Sequence, residues 1–157
     1  MNEVEEEIQT TLKKSGVNYE VHEHQPVYTC PKMAEYLGVD QNLIAKSMIL
    51  KTSAGQCFLA VLPGRLKIDF ARLAGLLNVK SVSFAPISEA EKIAKCGVGC
   101  VYPLGNLMNL KTYFDGKLLE NEYVYFNPGS HTKSIKIKTR DLVNLVKPEI
   151  SNLSGGK

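Results

Sequence analysis

Residues 44–64, IAKSMILKTSAGQCFLAVLPG, contain two apolar segments separated by a turn sequence. Lys46–Lys51 and Gln56–Leu62 predict two strands that pair across Ser53–Gly55. The second strand is almost entirely apolar, which is typical of a strand covered on both faces and flanked by neighbours. A proline–glycine pair then ends it. This stretch therefore predicts a β-hairpin whose second strand lies centrally in a sheet.

Helices and further strands are predicted on both sides of this hairpin. The predicted helices are one capped by Asn2, Pro31–Leu37, one capped by Asp69 and running to Leu77, one opened by a Ser88–Glu91 capping box, and one capped by Thr139 and running to Val146. The other predicted strands are Tyr19–His22, Ser81–Phe84, one near Thr112, Tyr123–Phe126 and Ser134–Lys138.

Strands and helices intermix without a regular β–α–β alternation, which predicts an α+β (mixed α/β) fold: a mixed, mostly antiparallel sheet surrounded by several helices. The sequence shows no internal repeat and no linker. We therefore expect one domain over residues 1–147 and a loose C-terminal tail over residues 148–157.

The composition is that of a soluble globular protein: of 157 residues, 44% are hydrophobic and 22% charged, so disorder is not expected. No apolar run approaches the ~20 residues that span a bilayer, and the first residues are acidic, so we expect a cytoplasmic protein without a membrane partner.

The net charge of +3 permits nucleic-acid binding without requiring it. A basic cluster near the C-terminal end of the sequence permits two interpretations, a phosphate contact or a solvated strand edge. It consists of Lys133, Lys136, Lys138 and Arg140.

Cysteine and histidine are too sparse to indicate a metal centre. The four cysteines, at positions 30, 57, 96 and 100, are scattered, and Cys96 and Cys100 lack the two-residue spacing of a zinc knuckle. His22 and His24 supply at most two ligands, whereas a structural zinc takes four. We expect no metal and no other cofactor; a small zinc hydrolase using His22, His24 and a cysteine stays as an alternative.

The sequence contains no Gly-x-Ser-x-Gly, His-Glu-x-x-His, Walker or dinucleotide motif. An enzyme of this sequence must therefore act by positioning and electrostatics. Lys46 offers either an ammonium for a phosphate or a lysine at the rim of the sheet. The glycine loop (residues 97–105) either aims backbone amides at an oxyanion or simply connects a helix to a strand. Ser130 and His131 add a hydroxyl and a titratable ring after a hairpin turn.

Five segments, taken in order, resemble the YbaK/prolyl-tRNA synthetase editing-domain superfamily, from about residue 17 to residue 146. They are His24–Thr29, Ile44-Ala45-Lys46, Leu62-Pro63-Gly64 with Ile68-Asp69, the Gly99-x-x-x-Pro103 loop, and Tyr125-Phe126-Asn127-x-Gly129-Ser130. The resemblance implies the fold of that superfamily and the activity of a free-standing aminoacyl-tRNA deacylase. It departs from the pattern at Leu104, where many relatives have phenylalanine.

The resemblance also implies roles for individual residues. Lys46 engages the phosphate of the 3′-terminal nucleotide, and the backbone from Gly99 to Pro103 positions the ester carbonyl and a water molecule; these three are the implied catalytic residues. The histidine position, His131, helps to set the size of the amino acid that fits. The implied substrate-binding residues are Tyr28, Thr29, Ser47, Cys100, Val101, Gly129, Ser130 and His131. The chemistry is implied to be substrate-assisted, through a ribose hydroxyl or a cysteine substrate's own thiol.

The expected substrate is a mischarged tRNA, bound by its 3′ acceptor end. A synthetase that accepts proline must sometimes admit alanine and cysteine, because one methylene separates substrates by only about 1–3 kcal/mol. We therefore expect tRNA-Pro carrying alanine or cysteine, with alanine favoured by a small pocket at His131; serine and threonine stay open. Prolyl-tRNA synthetase is a candidate partner, and a monomer or weak homodimer is expected. The alternative is a non-catalytic module that binds tRNA ends or a synthetase.

Overall fold

The computed structural model of the protein describes residues 2–97 and 99–155; Met1, Val98 of the glycine loop and residues 156–157 of the C-terminal segment lie outside the described residues. The α-helices are α1 (Glu3–Lys14), α2 (Cys30–Leu37), α3 (Phe70–Leu77), α4 (Ile87–Ala94) and α5 (Thr139–Val146). The strands are β1 (Tyr19–Glu23), β2 (Ala45–Thr52), β3 (Cys57–Pro63), β4 (Val82–Phe84), β5 (Thr112–Asp115), β6 (Tyr123–Phe126), β7 (Lys133–Lys138) and β8 (Glu149–Ser151). Short 3-10 helices cover Gln41–Leu43, Gly105–Leu107 and Gly116–Glu120.

The strands form two sheets. The five-stranded sheet has the order β4-β2-β3-β5-β8, and the three-stranded sheet has the order β1-β7-β6. The predicted hairpin is confirmed: β2 and β3 pair antiparallel from Ala45–Pro63 to Lys51–Cys57. Pairing is parallel between β3 and β5 and between β5 and β8, and antiparallel elsewhere. The α+β class is therefore confirmed, with two sheets in place of the one predicted.

The apolar sequence of β3 follows from its central position. Leu59 and Val61 belong to the main core, which lies between the two sheets and α1. Phe58 and Ala60 point to the opposite face, where they pack with Leu73 of α3. Because both faces of the strand are covered, it carries no alternating polar residues.

Two of the predicted helix caps are confirmed. The Asn2 side chain accepts a hydrogen bond of 2.8 Å from the backbone N–H of Glu5 at the start of α1. The Asp69 side chain accepts one of 3.0 Å from the N–H of Arg72 at the start of α3. Each satisfies one of the amide donors that a helix start leaves unpaired.

Two other predicted caps are wrong. Helix α4 begins at Ile87, directly after Pro86, so Ser88 is already helical and cannot cap it. Helix α5 includes Thr139, and the buried hydroxyl of this residue has no hydrogen-bond partner among the described residues. A capping side chain must stand just outside the helix in extended backbone, and a one-residue shift of the helix start removes that geometry.

The basic cluster does not lie on a strand edge, since β7 is the middle strand of its sheet. Lys136 Nζ lies 4.7 Å from the ring centroid of Tyr123, and Lys133 Nζ forms a 3.0 Å ion pair with Glu5 of α1. Two of these four cations therefore have partners within the fold. No helix within the described ranges is long and apolar enough to cross a membrane.

The prediction of a loose C-terminal tail is wrong for residues 149–153. Strand β8 pairs with β5, and Leu153 is fully buried. Its N–H donates to Asp115 Oδ2 (2.9 Å), and its carbonyl accepts from the N–H of Asp69 (2.9 Å). A three-residue strand is too short to give a periodic pattern, and its long-range partners cannot be identified from local sequence.

Candidate active site

A cleft of about 510 Å³ opens along the first half of β2. Strand β4 pairs only with the last three residues of β2, Leu50 to Thr52, so residues 45–48 form ladder pairs with β3 alone among the described strands. The other walls come from the segment before α2, the glycine loop and the β4–α4 junction. Six of the residues predicted to act on substrate line this cleft: Tyr28, Thr29, Lys46, Ser47, Gly99 and Val101.

Lys46 reaches from β2 to the backbone that follows β3. Its Nζ donates to the carbonyl oxygen of Leu66 and, at 3.4 Å, to that of Gly64. An ammonium has three N–H donors, so one is left for a ligand in the cleft. Burial lowers the pKa of Lys46, while the nearby Cys30 thiol raises it and Lys67 lowers it further. The side chain is thus held beside the cleft and half removed from water.

Gly64 permits this arrangement because no side chain fits at its position. A Cβ there would lie 2.7 Å from the carbonyl oxygen of Gln41 and 3.2 Å from Cys30 Cβ. The Gly64 N–H donates to the carbonyl of Ile44 at 3.0 Å, which ties the end of β3 to the start of β2. The proline–glycine pair therefore does more than end a strand: it brings a carbonyl oxygen to Lys46.

The glycine loop faces the cleft with its backbone. Gly99 has φ +94°, and a Cβ on it would lie 3.2 Å from the carbonyl oxygen of Tyr28. The N–H of Cys100 is used within the loop, donating to Gly97 at 3.0 Å. By contrast, the N–H groups of Gly99 and Val101 have no acceptor among the described residues. Within the described part of the chain, two backbone donors of residues that line the cleft are therefore unpaired, and an oxyanion site needs such donors.

Cys100 and Pro103 are buried and are not part of the lining of the cleft. Burial raises the pKa of the Cys100 thiol to about 12. Pro103 lies between Tyr102 and Leu104, which both belong to the main core, and the Tyr102 hydroxyl donates to the carbonyl of Ala94 at 3.2 Å. The proline thus fixes the end of the loop in the core and does not itself reach the cleft.

His131 stands behind the glycine loop and is not among the residues that line the cleft. Its Nδ1 donates to the carbonyl oxygen of Val27 at 2.9 Å, since a carbonyl can only accept. Its ring centroid lies 4.3 Å from that of Tyr28. The histidine therefore supports the Tyr28 wall from outside the cleft, and it lines a separate pocket of about 430 Å³ together with Cys100 and Gly129.

Gly129 and Ser130 also lie away from the cleft lining. Ser130 Oγ lies 3.1 Å from Thr132 Oγ1 and serves the turn. Gly129 has φ +77°, and a Cβ on it would lie 2.6 Å from Val4 Cγ1 of helix α1. The Asn2 side chain donates to the Gly129 carbonyl at 3.0 Å. The absence of a side chain at Gly129 thus allows helix α1 to pack against the turn that follows β6.

Several cleft residues were not identified from the sequence: Cys30, Met33, Phe84, Ile87 and Asn127. Phe84 and Ile87 are 60% and 66% exposed, which is unusual for large apolar side chains beside a cavity. Nothing in the local sequence separates them from core residues. Asn127 was visible as part of a motif but had no assigned role; the Nδ2 of this residue donates to the Gly99 carbonyl at 2.7 Å.

The two histidines of the zinc alternative bond to different partners. His22 Nε2 lies 3.0 Å from Glu20 Oε1, while His24 Nε2 lies 2.7 Å from Ser134 Oγ. Across residues 2–97 and 99–155, no three His, Cys, Asp or Glu side chains form a group suited to a metal ion.

Lys46 and the backbone of the glycine loop thus lie along one apolar cleft of an α+β domain. The chain belongs to the aminoacyl-tRNA editing domain family, whose model matches residues 24–145. The predicted superfamily and enzyme class, an aminoacyl-tRNA hydrolase, are thereby confirmed.

Two similar proteins are 28% identical to this chain. The multifunctional Ser/Thr-tRNA deacylase ProXp-y of Escherichia coli (strain K12) matches 90% of this chain and 87% of its own length. The prolyl-tRNA editing protein ProX of Acetoanaerobium sticklandii matches 87% and 86%. The proline–tRNA ligase of Caldicellulosiruptor bescii is 30% identical over 83% of this chain, but that match covers 25% of the ligase. A solved structure described as a candidate trans-editing enzyme for prolyl-tRNA synthetase shares the fold, with a TM-score of 0.86 at 21% identity over 99% of both chains.

The contact between Gly129 and Val4 predicts a coupling between two substitutions. Gly129→Ala should lower the free energy of unfolding by about 1–3 kcal/mol, because the methyl group collides with Val4. Adding Val4→Ala should cost less than the sum of the two single changes, since it makes room for the new methyl. Urea denaturation of the four proteins measures this.

Gly16→Ala is the matched control, because Gly16 has φ +73° and a Cβ on it would meet nothing within 4 Å. It isolates the backbone cost of a positive φ. If the changes in the free energy of unfolding caused by Gly129→Ala and Val4→Ala are strictly additive, the proposed contact between residue 129 and helix α1 is contradicted.

Proposed function

We propose that this protein hydrolyses mischarged tRNA in trans, by holding the aminoacylated 3′ terminus between Lys46 and the amides of the glycine loop. The observation that carries the proposal is a single cleft in which, among the described residues, Lys46 has one uncommitted donor and the N–H groups of Gly99 and Val101 have no acceptor. These donors suit the two acceptors that an aminoacyl terminus presents, a phosphate and an ester carbonyl.

The roles follow from the charges. Lys46 binds the phosphate of the terminal nucleotide. The loop amides donate hydrogen bonds to the carbonyl oxygen, which becomes negatively charged when water adds to the carbonyl carbon. The ester C–O bond then breaks, the ribose oxygen takes a proton, and the amino acid leaves as a carboxylate. Burial raises the pKa of the Cys30 thiol in the cleft, which makes it a weak nucleophile. This supports a substrate-assisted, metal-independent mechanism in which a ribose hydroxyl of the terminal adenosine orients the water.

The amino acid removed is small. The side chains of Cys30 and Met33 give the cleft an apolar wall suited to alanine or cysteine, and tRNA-Pro carrying either one is the proposed substrate. Ser47 Oγ is buried without a hydrogen-bond partner among the described residues, so serine and threonine also find a polar contact. Since His131 does not line the cleft, it gives no reason to rank alanine first.

The exposed rim of the cleft suits the unpaired end of a tRNA. Tyr28, Phe84 and Ile87 all line the cleft, and each is more than half exposed, at 65%, 60% and 66%. Unpaired bases stack on aromatic faces such as those of Tyr28 and Phe84 with about 1–3 kcal/mol each. We place the acceptor end along this rim, in a cytoplasmic protein that acts as a monomer or weak homodimer and in concert with prolyl-tRNA synthetase.

Lys46→Ala should lower kcat/KM for deacylation by about 100-fold or more, because it removes the phosphate contact and loosens the 64–66 backbone. The measurement is release of labelled amino acid from Ala-, Cys-, Ser- and Thr-tRNA by the wild type and the variant. Lys51→Ala, on the same strand but paired with Glu89, is the matched control and should leave activity unchanged. A Lys46→Ala protein as active as the wild type would reject the proposed site, and no release by the wild type from any of the four would favour the binding module.

Phe84→Ala should raise KM for the best of these tRNAs by about 5- to 100-fold, because one stacking surface for a base is lost. Leu76→Ala is the control: Leu76 is 51% exposed on α3 and does not line the cleft. Steady-state kinetics of both variants test the rim. Equal KM values for the two variants would show that the acceptor end lies elsewhere.

A further inference from the structure

Asn127 is held in one orientation by the glycine loop. It follows β6, lines the cleft, and approaches the carbonyl oxygen of Gly99 to 2.7 Å. Because that oxygen can only accept a hydrogen bond, the side chain must turn its NH₂ group towards Gly99. The position of the other amide atom, Oδ1, is thereby fixed as well.

Asn127 Oδ1 is buried and has no donor among residues 2–97 and 99–155. Buried acceptors in proteins are almost always paired, so an unpaired one on a residue that lines the substrate cleft indicates a bond that a ligand completes. Ser47 Oγ is in the same state on β2, but a hydroxyl can donate or accept, whereas Oδ1 can only accept.

The groups proposed to bind the phosphate and the ester carbonyl are donors. Lys46 and the amides of Gly99 and Val101 suit a phosphate and a carbonyl oxygen, and none of them can bind a donor on the substrate. An aminoacyl ester carries such a donor next to its carbonyl: the α-amino group, on the adjacent carbon. When the ester carbonyl oxygen is bound at Gly99, the α-amino group lies near Asn127, whose side chain is hydrogen-bonded to Gly99.

We propose that Asn127 Oδ1 accepts a hydrogen bond from the α-amino group of the bound aminoacyl ester, while Nδ2 of the same residue fixes the loop that holds the carbonyl. The inference rests on the proposed function and adds a selectivity to it: the protein recognises a free amino acid on the tRNA terminus and rejects acyl groups that lack an α-amino N–H.

The test crosses one variant with one substrate change. Alanyl-tRNA is compared with propionyl-tRNA, the same ester without the amino group; if serine is released fastest in the four-substrate assay, seryl-tRNA and 3-hydroxypropionyl-tRNA take their place. The wild type should hydrolyse the aminoacyl ester at least 10-fold faster in kcat/KM than its deaminated analogue. Asn127→Ala should reduce this preference to about the ratio of the uncatalysed hydrolysis rates of the two esters, because the loop bond is lost for both esters but the amino contact is lost for only one.

Asn121→Ala is the matched control, because Asn121 Nδ2 donates to a backbone carbonyl, that of Asn42, at the same distance of 2.7 Å but outside the cleft. It should keep the wild-type preference. Equal hydrolysis of both esters by the wild type, which needs no variant to fold, would overturn the inference alone. An equal fall on both esters in Asn127→Ala would also overturn it and leave only loop support. A wild type that hydrolyses neither ester nor any of the four aminoacyl-tRNAs would overturn the proposed function itself.

Discussion

The cleft depends on the unequal lengths of two neighbouring strands. Because β4 pairs with only the last three residues of β2, the first half of β2 is open on one side, and Lys46 lies in that half. Its ammonium does not extend into solvent as a surface lysine would; the carbonyls of Gly64 and Leu66 hold it across the end of the hairpin. A cation is therefore fixed at the floor of an apolar cleft before any substrate arrives, and a preorganised charge of this kind costs little reorganisation during a reaction.

Three glycines allow separate segments of the chain to pack closely against one another. Each one meets a different neighbour at a distance that excludes a side chain or crowds it: Gly64 meets Gln41, Gly99 meets Tyr28, and Gly129 meets Val4. Through the last contact, helix α1, which precedes the family match, supports the turn that carries Asn127. These glycines thus let neighbouring segments approach closely at three positions.

Local patterns predicted the parts of the fold that are locally determined. The hairpin, the central position of β3 and the caps at Asn2 and Asp69 all follow from periodicity and short-range hydrogen bonding. The buried C-terminal segment was missed because Leu153 is held by long-range bonds to Asp115 and Asp69, which a short polar sequence does not reveal. Within the candidate site, Lys46 and the glycine loop were predicted to act together. Whether a loop residue faces the cleft or the core depends on tertiary packing and was not predictable.

The proposed function requires that the charge of Lys46 meets the phosphate of the terminal nucleotide. The most direct measurement replaces the phosphodiester before the terminal adenosine with an uncharged methylphosphonate and compares binding of this tRNA with that of the native one. For the wild type we expect the affinity to fall by about 10-fold or more, and for Lys46→Ala we expect no further fall, because the partner charge is already gone. An equal loss of affinity in both proteins would show that this phosphate is bound by another group and would contradict the account.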